Sequence, residues 1–180
     1  TNSSSNDTGW RVVISNTELS NSAGKVRVTL QAATIANASQ FSNVSIVERL
    51  GSTSSGTTTP TEILFGGSSG VTISVSSDVT SDWVDFDLDA SKDYLLIMDQ
   101  PASTSSIRYG SSGGHGYYTK AATNSYNLAS YPAAGTLNYS ANRSAIFVKL
   151  ETEVLQVVNT DIIAEMSRDA GTTYSPATLN

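Results

Sequence analysis

A single histidine, His115, serves the whole 180-residue chain, and there is no cysteine. Any serine–histidine–aspartate relay would have to use that imidazole as its proton acceptor. It lies in SSGGHGYY, a turn-like stretch beside two tyrosines, and no Gly-x-Ser-x-Gly elbow precedes a helical pattern anywhere. We therefore expect no catalytic residue and no enzyme, with His115 acting in a loop or in packing. The missing thiols exclude disulfides, thiolate metal sites and cysteine nucleophiles together.

Carboxylates offer the next chemistry. Asp82, Asp85, Asp87, Asp89 and Asp93 crowd one stretch, and Asp85-x-Asp87-x-Asp89 imitates the start of a calcium loop. Calcium is the cation such a row would take. Ala90 nevertheless stands where that loop needs glycine, and Leu96 where it needs a bidentate glutamate. A strand explains the spacing better, with Val84, Phe86 and Leu88 inward and Asp85, Asp87 and Asp89 toward solvent. No cleft is legible around these acids, so a glycosidase pair is not expected.

The third candidate is a tyrosine-rich stretch holding Arg108, Tyr109, His115, Tyr117, Tyr118, Tyr126 and Asn127, with Asn124, Tyr131 and Tyr139 nearby. Sugars offer an apolar face to aromatic rings and hydroxyls to Asn, Arg and His, so the stretch suits a glycan. The competing reading sends about half of these rings into the core or an interface.

Such side chains act only when a scaffold holds them. Charged residues are 14% of the chain and hydrophobic ones 38%, with net charge −6. That balance fits one folded domain of short strands and polar turns rather than a disordered chain. Acidity and scattered cations argue against nucleic acid and against an anionic membrane surface. No apolar run is long enough for a membrane span. The chain opens at Thr1 with no visible signal peptide, which reads as a processed or partial chain. Six Asn-x-Ser/Thr sequons, at Asn2, Asn6, Asn37, Asn43, Asn138 and Asn142, are of the number that such a composition produces by chance.

Period-two alternation recurs where helical periodicity does not. Val26, Val28 and Leu30 oppose Arg27 and Thr29; Val71, Ile73 and Val75 oppose Thr72 and Ser74. Strands are expected at 10–14, 26–32, 44–48, 63–65, 71–75, 83–88, 94–98 and 145–150, with Ile146, Val148 and Leu150 sharing a face. Turn-rich connectors such as RLGSTSSGTTTP and SSGGHG separate them. The expected fold is all-β: an antiparallel, jelly-roll-like β-sandwich over 10–152, preceded by a flexible lead-in at 1–9. The stretch 108–142 reads as long loops with brief strands. Residues 153–180 read as a C-terminal β-hairpin arm with Ile162, Ala164 and Met166 on one side and Val157 and Ile163 on the other. A short hairpin with two apolar faces needs its own sandwich or a neighbour to cover it.

Two resemblances follow from these residues. TELSNSAGKVRVTL (17–30), ILFGGSSGVTI (63–73) and SDWVDFDL (81–88) together resemble an accessory sandwich of secreted GDSL-type hydrolases. The hydrolases' own Gly-Asp-Ser and Asp-x-x-His blocks are absent. The same order, followed by RYG (108–110) and GYY (116–118), is similar to sandwich domains of phage tail-fibre and virion-surface proteins. The segment 159–179 also resembles one found in phage tail proteins, and stops soon enough to suggest truncation at Asn180. Within it, Ser167, Asp169, Gly171, Thr173 and Tyr174 fit an Asp-box turn, which that resemblance makes structural.

These resemblances imply a virion or extracellular surface protein: a tail fibre, head fibre or decoration protein that assembles with other subunits as a homo-oligomer and adheres to a host-surface glycan. The alternative is a carbohydrate-binding or adhesin module of a secreted bacterial protein.

Overall fold

A strand buried on both faces reads as an unbroken apolar run, whereas one buried on a single face alternates. Both kinds occur here. The computed structural model describes residues 8–32, 37–101, 115–121, 138–144 and 147–153. In chain order the strands are β1 (Thr8–Ile14), β2 (Ala23–Gln31), β3 (Ser39–Phe41), β4 (Asn43–Glu48), β5 (Thr61–Glu62) and β6 (Val71–Ile73). They continue with β7 (Asp78–Thr80), β8 (Val84–Leu88), β9 (Tyr94–Gln100), β10 (His115–Ala121), β11 (Asn138–Ser144) and β12 (Phe147–Glu153). One 3-10 turn, Asn16–Glu18, follows β1 and is capped reciprocally by Ser15 and Glu18. No α-helix occurs among the described residues. None of them forms a helix long and apolar enough to cross a membrane.

The fold is an all-β sandwich, and every strand pairing is antiparallel. Six strands form one sheet in the order β11-β10-β1-β9-β4-β5. In the opposing sheet β2 is central, with β12 on one side and β7 then β8 along the other. A two-stranded ribbon, β3-β6, completes it. Trp10, Val12, Ile14, Val44, Ile46, Leu96 and Met98 of the larger sheet share one core with Val26, Val28, Leu30 and Leu88 of the smaller, and with Phe41 and Ile73 of the ribbon. Trp10 donates its indole N–H to Gln100 Oε1 at 3.1 Å, satisfying two polar groups inside that core.

The larger sheet is buried on its other face too. Every residue of β9, from Tyr94 to Gln100, is buried. Leu96 and Met98 face the shared core, while Leu95 and Ile97 form a second cluster with Val47 and Val13.

The alternation expected in β2 and β8 is present: Val26, Val28 and Leu30 are fully buried, and Phe86 packs edge-on against Tyr94 with ring centroids 5.5 Å apart. The strand expected at 71–75 ends at Ile73, and Val75 is exposed. The three-residue strands β3 and β7 were not anticipated. β12 pairs β2 with a register shift between Phe147 and Lys149, so unbroken alternation does not run through it. Between β5 and β6, Gly66 and Gly67 both have positive φ, which a tight two-residue turn of the mirror-image type requires. Asp82 Oδ2 accepts the Gly67 N–H at 2.7 Å and holds that turn in place.

Leu96 and Ile97 test the two-sided burial, since they are adjacent, both fully buried, and on opposite faces. Leu96→Ala and Ile97→Ala should each destabilise by about 2–5 kcal/mol in urea unfolding. A cost below about 1 kcal/mol for Ile97→Ala would mean the outer face is not packed.

Candidate functional site

Of the tyrosine-rich stretch the structure describes β10 and, with Tyr139, the backbone of β11, where Tyr139 pairs with Tyr118. Adjacent strand residues point to opposite faces, so Tyr117 and Tyr118 cannot present their rings to one ligand on the same side. Tyr117 is buried in the shared core, 5.2 Å from the Trp10 ring centroid to centroid. Tyr118 lies on the outer face of the larger sheet, opposite Arg11 of β1. His115 Nδ1 stands 3.2 Å from Glu18 Oε1, linking the start of β10 to the capped turn after β1. Arg108, Tyr109, Tyr126 and Asn127 lie outside the described residues, as do the Asp-box residues Ser167, Asp169, Gly171, Thr173 and Tyr174.

Around Tyr118 the structure builds a clamp. Three consecutive carbonyls of the loop after β4 each accept a side-chain hydrogen bond. Tyr118 Oη donates to Ser52 O at 3.1 Å, Arg49 Nε to Thr53 O at 2.8 Å, and Arg11 Nη1 to Ser54 O at 3.0 Å. Arg49 Nη2 also donates to Tyr118 Oη at 2.7 Å, and Arg49 Nη1 lies 3.5 Å from Asp93 Oδ2. Arg11 is fully buried. On the same face Asp99, also fully buried, sits diagonal to it across the β1–β9 register. Gly56 lets the loop descend: a Cβ there would stand 2.6 Å from both methyl carbons of Val47. The outer face is therefore covered by a polar loop whose backbone is tied down by two arginines and a tyrosine.

The aspartate row is spread out. Asp85, 88% exposed at its side chain, lies 3.9 Å from Lys25 Nζ. Asp87 is exposed on the same strand. Asp89 belongs to the turn into β9, where its Oδ1 accepts the Ser91 N–H at 2.9 Å and the Ser91 hydroxyl at 2.7 Å. The Ser91 N–H, and then its hydroxyl, hold the Asp89 carboxyl below its ordinary pKa. No three acidic or histidine side chains cluster as a metal site among the described residues.

The open face of the smaller sheet holds residues that sequence reasoning passed over. Val28 is matched with Ser81 by the Ser81 N–H donating to Val28 O at 2.9 Å, and Val26 is matched with Val84. Asp82 and Trp83 together therefore oppose Arg27 alone. This bulge is steadied by the Ser81 hydroxyl, which accepts the Val28 N–H at 3.0 Å. Trp83 meets Arg27 on the solvent side, with the guanidinium carbon 4.6 Å from the ring centroid. Arg27 donates from Nε and Nη2 to the two oxygens of Glu151 at 3.0 and 3.3 Å. Lys149 Nζ lies 3.2 Å from the same carboxylate. The Arg27 hydrogen bonds chiefly, and then that of Lys149, hold the Glu151 carboxyl below its ordinary range. The signal was available: in the alternating reading of Trp83–Leu88, the tryptophan falls in phase with Asp85 and Asp87, on the polar face.

No protein-family model matches this chain, and no curated protein is significantly similar to it in sequence.

Two measurements check this geometry. Tyr118→Phe removes the donor to Ser52 O and should cost about 1 kcal/mol, with faster amide exchange confined to residues 50–56. Glu151 has a depressed pKa, so its contribution is complete above its ordinary value of 4.5 and is lost as pH falls through the lower folded value. Glu151→Gln should therefore lower stability in the neutral region, leave it nearly unchanged below the folded pKa, and so flatten the acid limb of the stability–pH curve.

Proposed function

We propose that this chain is a structural component of a phage virion surface, a tail-fibre, head-fibre or decoration protein, that adheres to host-surface glycans and performs no catalysis. Its sandwich is jelly-roll-like, and residues 153–180, which lie outside the described residues apart from Glu153, form an assembly arm.

The observation that carries this reading is how the polar side chains are used. Arg11, Arg49 and Tyr118 hold a loop onto the larger sheet, and Asp82 and Asp89 brace turns between strands. Rigid, loop-stapled sandwiches suit particles that must survive outside a cell. The acidic, thiol-free composition and the sequence resemblance to virion-surface sandwiches support the same conclusion. Calcium at Asp85, Asp87 and Asp89 is a subordinate part of the proposal. The open face around Trp83 favours a second reading, an adhesin or carbohydrate-binding module of a secreted bacterial protein.

Oligomeric state separates the two. A fibre or decoration subunit assembles with closed symmetry, whereas a solitary binding module stays monomeric. Light scattering should give a defined homo-oligomer for the intact chain and a smaller, folded species when the residues after Glu153 are removed. An intact chain that remains monomeric at high concentration would favour the binding module. His115→Ala should leave any hydrolase activity of a preparation unchanged; its loss in a folded variant would overturn the non-enzymatic reading.

A further inference from the structure

The register of the smaller sheet lays out a grid on its solvent face. Lys149, Thr29 and Thr80 form one row; Glu151, Arg27 and Trp83 the next; Glu153, Lys25 and Asp85 the third. Three cations, Lys25, Arg27 and Lys149, interleave with Asp85, Glu151 and Glu153, and Asp87 adds a fourth anion on the same side of β8. Their donors and acceptors alternate, and Thr29 Oγ1 and Thr80 Oγ1 join the pattern at 2.9 Å from each other. In the middle row stands a tryptophan that is 41% exposed, while the only other tryptophan, Trp10, is 2% exposed.

Alternation with Asp85 and Asp87 sets the ring on the solvent face, where it meets Arg27 beside the bulge at 82–83. Bulges recur beside functional sites. Arg27 covers part of the indole and is itself fixed by two hydrogen bonds to Glu151. Ring and guanidinium are thus arranged before anything binds, which lowers the ordering cost of binding.

We propose that this face, centred on Trp83, is a binding site for a neutral saccharide. The open part of the indole would take the apolar C–H face of a sugar ring. The fixed side chains around it would serve hydroxyls that both donate and accept: Arg27 and Lys25 as donors, Asp85 and Glu151 as acceptors. Charge decides the ligand class. A face whose cations are slightly outnumbered by anions gives no net attraction to sulfated, sialylated or phosphorylated polymers, and an uncharged sugar pays no electrostatic cost there. The inference rests on the adhesive half of the proposed function, and it is independent of the tyrosine-rich stretch and of assembly.

The intact chain is tested on an array of neutral hexose and N-acetylhexosamine oligomers alongside sulfated and sialylated ones. The strongest neutral hit is then titrated by tryptophan fluorescence. Because Trp10 is enclosed in the core, the signal reports on Trp83. The expected result is a neutral hit whose binding weakens about tenfold or more in Trp83→Ala, the loss of one stacking ring, and recovers in part in Trp83→Phe. Circular dichroism of both variants should match that of the intact chain, since the ring is not in the core. Neutral-glycan binding that Trp83→Ala leaves unchanged overturns this site while the adhesive reading stands. Preference for anionic glycans overturns the ligand class. Absence of any glycan binding by the intact chain overturns both the site and the adhesive reading.

Discussion

Seven consecutive buried residues in β9 dictate most of what surrounds them. A strand with both faces out of water must be central in its sheet, and each face must be covered by something. The first cover is the smaller sheet, which supplies Val26, Val28, Leu30 and Leu88 to a common core. The second, among the described residues, is not another sheet. It is a loop, and a loop brings backbone polar groups that lose water when they descend onto apolar residues. Arg11, Arg49 and Tyr118 meet that need by donating to three consecutive carbonyls. The charges on the outer face thus follow from the apolar run in β9.

The smaller sheet is under the opposite constraint. Nothing in the fold requires its outer face to be covered, so β2 alternates between fully buried valines and charged residues in ion pairs. Exposed pairs of this sort contribute little to stability, a few tenths to about 1 kcal/mol each. They keep the face solvated and unattractive to a further sheet, since charged rows resist edge and face association. Against that background an exposed indole is out of character, and it stands beside Arg27 at the edge of a bulge.

Legibility in the sequence followed these constraints. Strands buried on one face, such as β2 and β8, announced themselves by alternation, and β9 by its apolar run YLLIMDQ, although its last two polar residues gave no hint of burial. Strands of three residues, SQF and DVT, are too short to show a period. The clamp was illegible because its acceptors are carbonyls, which every residue carries. Tyr117 and Tyr118 looked like a pair only while their stretch was taken for a loop. On a strand the two rings part, one into the core and one to the loop clamp. The row Asp85, Asp87, Asp89 likewise dissolves into an ion pair, a solvated side chain and a turn anchor, because Asp89 stands just past the end of β8.

Tryptophan placement shows why residue type alone misled. Trp10 and Trp83 both stand beside alternating apolar residues, and composition treats them alike. Trp10 is in phase with Val12 and Ile14, so its ring enters the core and its N–H must find Gln100. Trp83 is one residue out of phase with Val84, Phe86 and Leu88, so it falls on the solvent side, where Arg27 receives the ring. The extra residue opposite Arg27 is Asp82, whose N–H donates to Leu64 O at 2.8 Å and whose carboxylate accepts the Gly67 N–H. The bulge therefore ties the edge of the smaller sheet to the turn between β5 and β6. The outward ring follows from alternation along β8 and is held there by Arg27.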